Sequence, residues 1–161
     1  MIILFKIALI TVCGIIAYQD FKERAVVWTI FPITASLFFS LHISHAPWQS
    51  TMLYALSNCL LVSTVLSILF LYSRLILKKR FLDVSLGLGD VLFFYAFALG
   101  FPTMTFVLLF VGAIFFSLLV FLVLKMGRPM ETVPLAGLMG LFVVGVLVSS
   151  LFPNTPSLYI L

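Results

Sequence analysis

Hydrophobic positions fall into six long blocks along this chain, and polar ones into the short gaps between them. The blocks cover roughly residues 2–18, 25–44, 51–73, 84–101, 103–124 and 133–152. Each approaches the run of about 20 apolar residues that an α-helix needs to cross a hydrocarbon core about 30 Å thick. The connections are short, which makes sequential helices antiparallel neighbours. The pattern predicts an all-α, polytopic membrane protein of about six transmembrane helices, forming one domain over 1–161 with no separate soluble part.

The first block could also be read as a signal peptide, with Lys6 as its basic flank and Ala17 near a cleavage point. A signal peptide carries its positive charge before the apolar stretch. Here most of it follows, so the block is read as a first transmembrane helix. Composition agrees with a membrane class: 64% of the 161 residues are hydrophobic and 9% charged, with a mean hydropathy of +1.32. A water-soluble globule of this size does not need so much apolar material. The net charge of +4 comes from nine basic residues scattered between apolar blocks, not from the clustered basic surface that nucleic acid requires. Cys13 and Cys59 lie far apart inside apolar blocks and match neither a metal-ligand spacing nor a disulfide framework. The eighteen phenylalanines read as packing and lipid-facing bulk.

Basic residues orient the chain. Lys22 and Arg24 occupy the first gap, Arg74, Lys78, Lys79 and Arg80 the third, and Lys125 and Arg128 the fifth, so eight of the nine share one side. By the positive-inside rule the odd-numbered loops are cytoplasmic and both termini are outside. Only Lys6 lies on the other side. Pro32, inside the second block, removes a backbone donor and predicts a kink, whereas Pro134 suits a helix start. Ala136 and Gly140 form a small-xxx-small pair that lets another helix backbone come close. Arg74 and Lys78 continue the third helix towards anionic headgroups.

The acids are few: Asp20, Glu23, Asp83, Asp90 and Glu131, all at or near the cytoplasmic side. Glu23, Asp83 and Glu131 read as solvated juxtamembrane charges, and Asp20, just after the first helix, would read the same way alone. Asp90 differs. It lies about six residues, or about 9 Å at 1.5 Å per residue, beyond the predicted start of its helix. An ionisable side chain at that depth is costly, and function is its default reading. Gly87 and Gly89 precede it in LGLGDVLFF, removing side chains so that backbone can approach. If the first and fourth helices are neighbours, Asp20 and Asp90 meet. Two carboxylates in one partly desolvated site share a proton, one acting as base and the other as acid. Such a pair activates water against a peptide carbonyl and needs neither a nucleophilic side chain nor a metal. His42 and His45, three residues apart, could share a metal, but they lie on the opposite side and lack a nearby carboxylate.

These residues resemble the type IV prepilin and preflagellin peptidases, membrane aspartic peptidases with one aspartate after an early helix and a second in a GxGD motif. YQDFKERAVVW carries the first, Asp20, and GLGDV the second, Asp90. TVPLAGLMG resembles the family's proline-containing entry to its last helix. The resemblance covers nearly the whole chain. It implies a multi-pass enzyme of the inner (plasma) membrane, with Asp20 and Asp90 as a catalytic dyad facing the cytoplasm. Gly87 and Gly89 would shape that site. The implied substrate is a prepilin-like precursor, cut between a short basic leader and its hydrophobic helix, with no cofactor. Val26, Val27 and Trp28 stand where many members have Pro-Asn or Pro-Asp after an aliphatic residue, and Leu92 where a lysine is frequent. With a helix at its start and no CxxC pairs, the chain is expected to lack the methyltransferase activity of bifunctional members. The alternative is a non-catalytic relative that assists assembly of a surface or secretion system. A proton-coupled transporter is a third class, opposed by the lack of acids on the outer side.

Overall fold

With so little polar side-chain surface, the backbone must satisfy its own donors and acceptors, and helices do this within one segment. The computed structural model describes residues 1–75, 87–127, 133–152 and 157–159. Among the described residues six helices form: α1 (Ile2–Glu23), α2 (Ile30–Ile43), α3 (Trp48–Leu75), α4 (Leu88–Ala98), α5 (Thr103–Gly127) and α6 (Leu135–Ser149). There is no strand among the described residues. α1, α3 and α5 are each long and apolar enough to cross a membrane, whereas α2, α4 and α6 are shorter apolar helices.

Several boundaries differ from those that hydropathy gives. The first helix does not stop at Tyr18 but runs through Gln19, Asp20 and Lys22, ending where Arg24 takes a left-handed φ of 54°. Asp20 is therefore a helical residue and not a loop charge. The second helix begins five residues later than its apolar block, because the amide of Val27 donates to Oε1 of Gln19 at 3.1 Å and fixes the preceding segment outside the helix. Pro32 then falls in the first turn of α2. Its missing donor would have no intrahelical partner there, and the predicted kink has no cause. Asp90 is the third residue of α4, not one six residues deep, since the described helix starts at Leu88. Pro134 does sit at a helix start, as the N-cap of α6. Residues 84–86, Lys78, Lys79, Arg80, Asp83, Arg128 and Glu131 lie outside the described residues.

α1 and α6 form the most extensive helix pair, antiparallel and tied at both ends. At one end Lys6 Nζ donates to the carbonyl of Ser150 at 3.0 Å and to its Oγ at 2.9 Å. At the other, Gly137 N–H donates to Oδ2 of Asp20 at 2.7 Å. Between them small residues permit close approach: a Cβ on Gly140 would stand 3.3 Å from the carbonyl oxygen of Cys13. α4 is wedged against α2, α3 and α6. Phe97 is its hub, its ring 5.6 Å from those of Phe38 and Phe101 and 5.7 Å from that of Phe106. Beyond the C-terminal end of α4, Asn58 Nδ2 donates to the carbonyls of Ala98 and Phe101, both at 2.9 Å. His42 Nδ1 donates to that of Leu99 at 3.0 Å. The bonds to Ala98 and Leu99 satisfy carbonyls that a helix end leaves without intrahelical partners, and the bond to Phe101 ties down the following turn.

The bundle thus has two unlike ends. Asp20, Asp90, Lys22, Arg24, Arg74 and Lys125 gather at one, and Lys6, His42 and His45 at the other.

The turn after α4 depends on Gly100, where an added Cβ would drive into the buried ring of Phe38. Gly100→Ala is expected to lower stability by roughly 1–3 kcal/mol through overpacking. Gly145→Ala meets nothing within 4 Å and should stabilise by about 0.5–1 kcal/mol through helix propensity. Thermal unfolding in one detergent checks both signs.

Candidate active site

The first turn of any helix presents amide N–H groups without intrahelical acceptors, and in an apolar bundle water cannot reach them all. At the start of α6 two carboxylates take that place. Ala136 N–H donates to Oδ1 of Asp90 at 2.8 Å, and Gly137 N–H to Oδ2 of Asp20 at 2.7 Å. Consecutive residues have Cα atoms about 3.8 Å apart. Adjacent amides of one turn therefore draw together two side chains that lie seventy positions apart in sequence. Each carboxylate is half-buried, and the charge of Asp20 bears directly on Asp90. The positive end of the α6 dipole favours negative charge at this point, and the Arg24 guanidinium also acts on Asp20.

Each aspartate is held by its own element as well. Asp20 lies one turn from the buried Ala17 on the face of α1 that meets α6. Asp90 occupies the first turn of α4, where its Oδ2 accepts the amide of Gly87 at 3.1 Å while its own amide donates to the Gly87 carbonyl at 3.1 Å. This reciprocal pairing is the backbone counterpart of a capping box. Asp90 thus bridges two helix starts, its own and that of α6.

The two glycines of the GxGD stretch play unequal parts. A Cβ on Gly87 would stand 3.2 Å from Oδ2 of Asp90, so that glycine leaves room for the carboxylate. Gly87 has φ −71°, which any residue adopts; space and not backbone freedom is what it supplies. Gly89 faces α2, and a Cβ there would make only an ordinary contact, 3.4 Å from Cζ of Phe31. Leu92 packs with the hydrophobic core, as does Val26, while Val27 and Trp28 are exposed beside the site's end of the bundle.

His42 and His45 are remote from the aspartates. His45 Nδ1 donates to the carbonyl of Leu41 at 2.9 Å, and its ring stacks on Tyr159 at 4.1 Å. Among the described residues no group of three or more His, Cys, Asp or Glu side chains is placed to hold a metal ion.

Chemically, the pair offers two carboxyl groups, Asp20 with one oxygen engaged by a helix start and Asp90 with both, in a setting that excludes much of the solvent. Sharing a proton between them gives a base and an acid at one place. The residues that reading the sequence left out are Ala136 and Gly137, whose backbone amides hold the pair. Pro134 carried the signal, since a proline marking a helix start within an apolar bundle announces amides that need acceptors. No family model, curated protein or solved structure matches the chain.

Gly137 is the tightest position of the site. A Cβ there would lie 3.0 Å from both Cβ and Oδ2 of Asp20 and 3.3 Å from the backbone Cα of Ala17. Because backbone cannot yield as a side-chain tip can, Gly137→Ala should cost roughly 1–3 kcal/mol. Gly89→Ala should change stability by less than about 1 kcal/mol. Unfolding midpoints of the two variants provide the comparison.

Proposed function

We propose that the chain is a membrane aspartic endopeptidase in which Asp20 and Asp90 form the catalytic dyad. The observation that carries this reading is the capture of both carboxylates by the adjacent amides of Ala136 and Gly137. One carboxylate, ionised, removes a proton from a water molecule as the water oxygen attacks the peptide carbonyl carbon. The other, protonated, hydrogen-bonds to the carbonyl oxygen as negative charge builds there. Collapse of the tetrahedral intermediate breaks the C–N bond, and a carboxyl proton passes to the leaving nitrogen. Neither role is assigned to one residue, because a coupled pair titrates as a unit.

The polar division of the bundle supports the rest of the reading. All six helices cross or enter the bilayer, the end bearing Lys22, Arg24, Arg74 and Lys125 faces the cytoplasm, and both termini lie outside. The resemblance of YQDFKERAVVW, GLGDV and TVPLAGLMG to the prepilin peptidases is supported by their convergence: the aspartates of the first two segments meet amides of the third. The substrate class is then a prepilin-like precursor cut at the edge of its hydrophobic helix, in the inner (plasma) membrane.

A second reading rests on the same bonds. Both carboxylates cap a helix start, and that alone gives them a structural use, as in a non-catalytic subunit for assembly of a surface or secretion system. Asparagine separates the two. Its side-chain oxygen still accepts an amide proton, the whole of the bond at Asp20 and one of the two at Asp90, but cannot serve as acid or base.

Asp20→Asn and Asp90→Asn are each expected to reduce cleavage of a leader-bearing precursor by at least about 10³-fold, in line with general acid-base contributions, while the protein still folds. Cleavage by purified protein in liposomes, read as precursor shortening, checks this; activity retained in both variants would remove the peptidase assignment. For the wild type, a dyad working with a single proton predicts a bell-shaped dependence of rate on pH. Activity falls at low pH, where both carboxyls are protonated, and at high pH, where both are ionised.

A further inference from the structure

Helix lengths in the bundle are unequal, α1 with its 22 residues being among the long ones. α3 and α5 contain 28 and 25 residues, roughly 42 and 37 Å at about 1.5 Å per residue. α2, α4 and α6 contain 14, 11 and 15, roughly 21, 16 and 22 Å on the same rise. A hydrocarbon core of about 30 Å cannot match both sets. α1 and α2 adjoin each other, and α3 and α5 adjoin each other on the other side of α4 and α6.

Side-chain register shows where the surplus length lies. Asn58 of α3 binds the far end of α4, and Ser63 Oγ stands 2.8 Å from the Tyr95 hydroxyl, so α3 comes level with Asp90 near Ile68. The ring of Phe106 in α5 packs on Phe97, and that of Phe110 on Phe94, so α5 comes level near Phe115. Both helices continue with exposed apolar side chains, Leu71 and Tyr72 in one, Leu122 and Val123 in the other. Their first charges, Arg74 and Lys125, follow about 9 and 15 Å past the level of the dyad, at about 1.5 Å per residue. On α1, Lys22 and Arg24 follow Asp20 by only two and four residues, about 3–6 Å, and exposed Trp28 marks an interfacial level there.

We infer that the protein presents a girdle of unequal height to the lipid: full bilayer thickness along α3 and α5, and about one helical turn, some 5 Å, less along α1 and α2. The partner this surface fits is a bilayer whose cytoplasmic leaflet dips on the α1–α2 side, the response of lipid to a short hydrophobic span. The dip brings interfacial water to the aspartates from one side while lipid remains on the other. A bond at the edge of a membrane helix can then reach the carboxylates without that helix leaving the bilayer. This inference rests on the bilayer-spanning arrangement proposed above and not on catalysis.

The test uses the full chain in phosphatidylcholine liposomes with single nitroxide labels at Tyr18, Ile68 and Phe115, which are similarly exposed at 62, 63 and 61% and nearly level with the dyad. Cys59→Ala removes the half-buried thiol, and Cys13 stays, fully buried. Collisional relaxation by oxygen and by a water-soluble nickel chelate gives the depth of each label. The expected result is several-fold greater nickel accessibility at Tyr18 than at Ile68 and Phe115. Equal depth at the three sites, with a label at mid-helix Val111 in lipid, would overturn the uneven girdle and leave the spanning arrangement intact. A water-exposed Val111 label would overturn both.

Discussion

A helix that begins inside an apolar bundle must find acceptors for its first amides, and in this protein that requirement falls on α6. Two carboxylates meet it. Neither would be stable there alone: an isolated charge in such surroundings is costly, and so are bare amides. Together they convert two liabilities into a joint, 2.7 and 2.8 Å long at its two hydrogen bonds, that fastens α1 and α4 to the start of α6. The same joint sets the two carboxyl groups side by side, so structural need and chemical capacity are not separable at this point.

α4 shows how the position of the site is made rigid. It is the shortest of the six described helices, yet both its ends are tied through polar groups and its middle is held by aromatic packing. Asp90 and Gly87 close its N-terminal turn. Beyond its other end, Asn58 and His42, each fully buried, bind the carbonyls of Ala98, Leu99 and Phe101. Phe97 and the rings around it fill the space between. A side chain on so constrained an element has little freedom to leave its partner, which is what preorganised acid-base chemistry demands. The long α1–α6 contact, pinned by Lys6 at the far end, performs the same service for Asp20.

Much of this was legible in the order of residues. Six helices follow from six apolar blocks, the importance of Asp90 from its isolation among them, and the start of α6 from Pro134. The partnership of Asp20 and Asp90 was legible through the resemblance of their segments and through charge sidedness, which brings residues to one end of a bundle without saying that they touch. What hydropathy missed has physical causes. It ends a helix where side chains become polar, yet Gln19, Asp20 and Lys22 are compatible with helical backbone, and α1 stops only at the left-handed Arg24. It starts α2 too early because Ala25, Val26 and Val27 are apolar, although Gln19 holds their segment in another conformation. Backbone donors show in a sequence only through marks such as Pro134, and so Ala136 was read as a packing residue and neither it nor Gly137 as a donor to the carboxylates. Gly137 reads as one more small residue, and only the 3.0 Å approach of Asp20 reveals it as the site's position with least room.

Whether the two carboxyl groups behave as one unit is decided by their titration. With the protein in lipid nanodiscs and aspartate carboxyl carbons labelled with ¹³C, the Asp20 and Asp90 resonances can be followed across pH. Coupled carboxyls require that each resonance moves in the same two macroscopic steps, and that replacing either residue by asparagine reduces the other to a single step. Two independent one-step curves, each unaffected by loss of the other residue, would contradict that coupling.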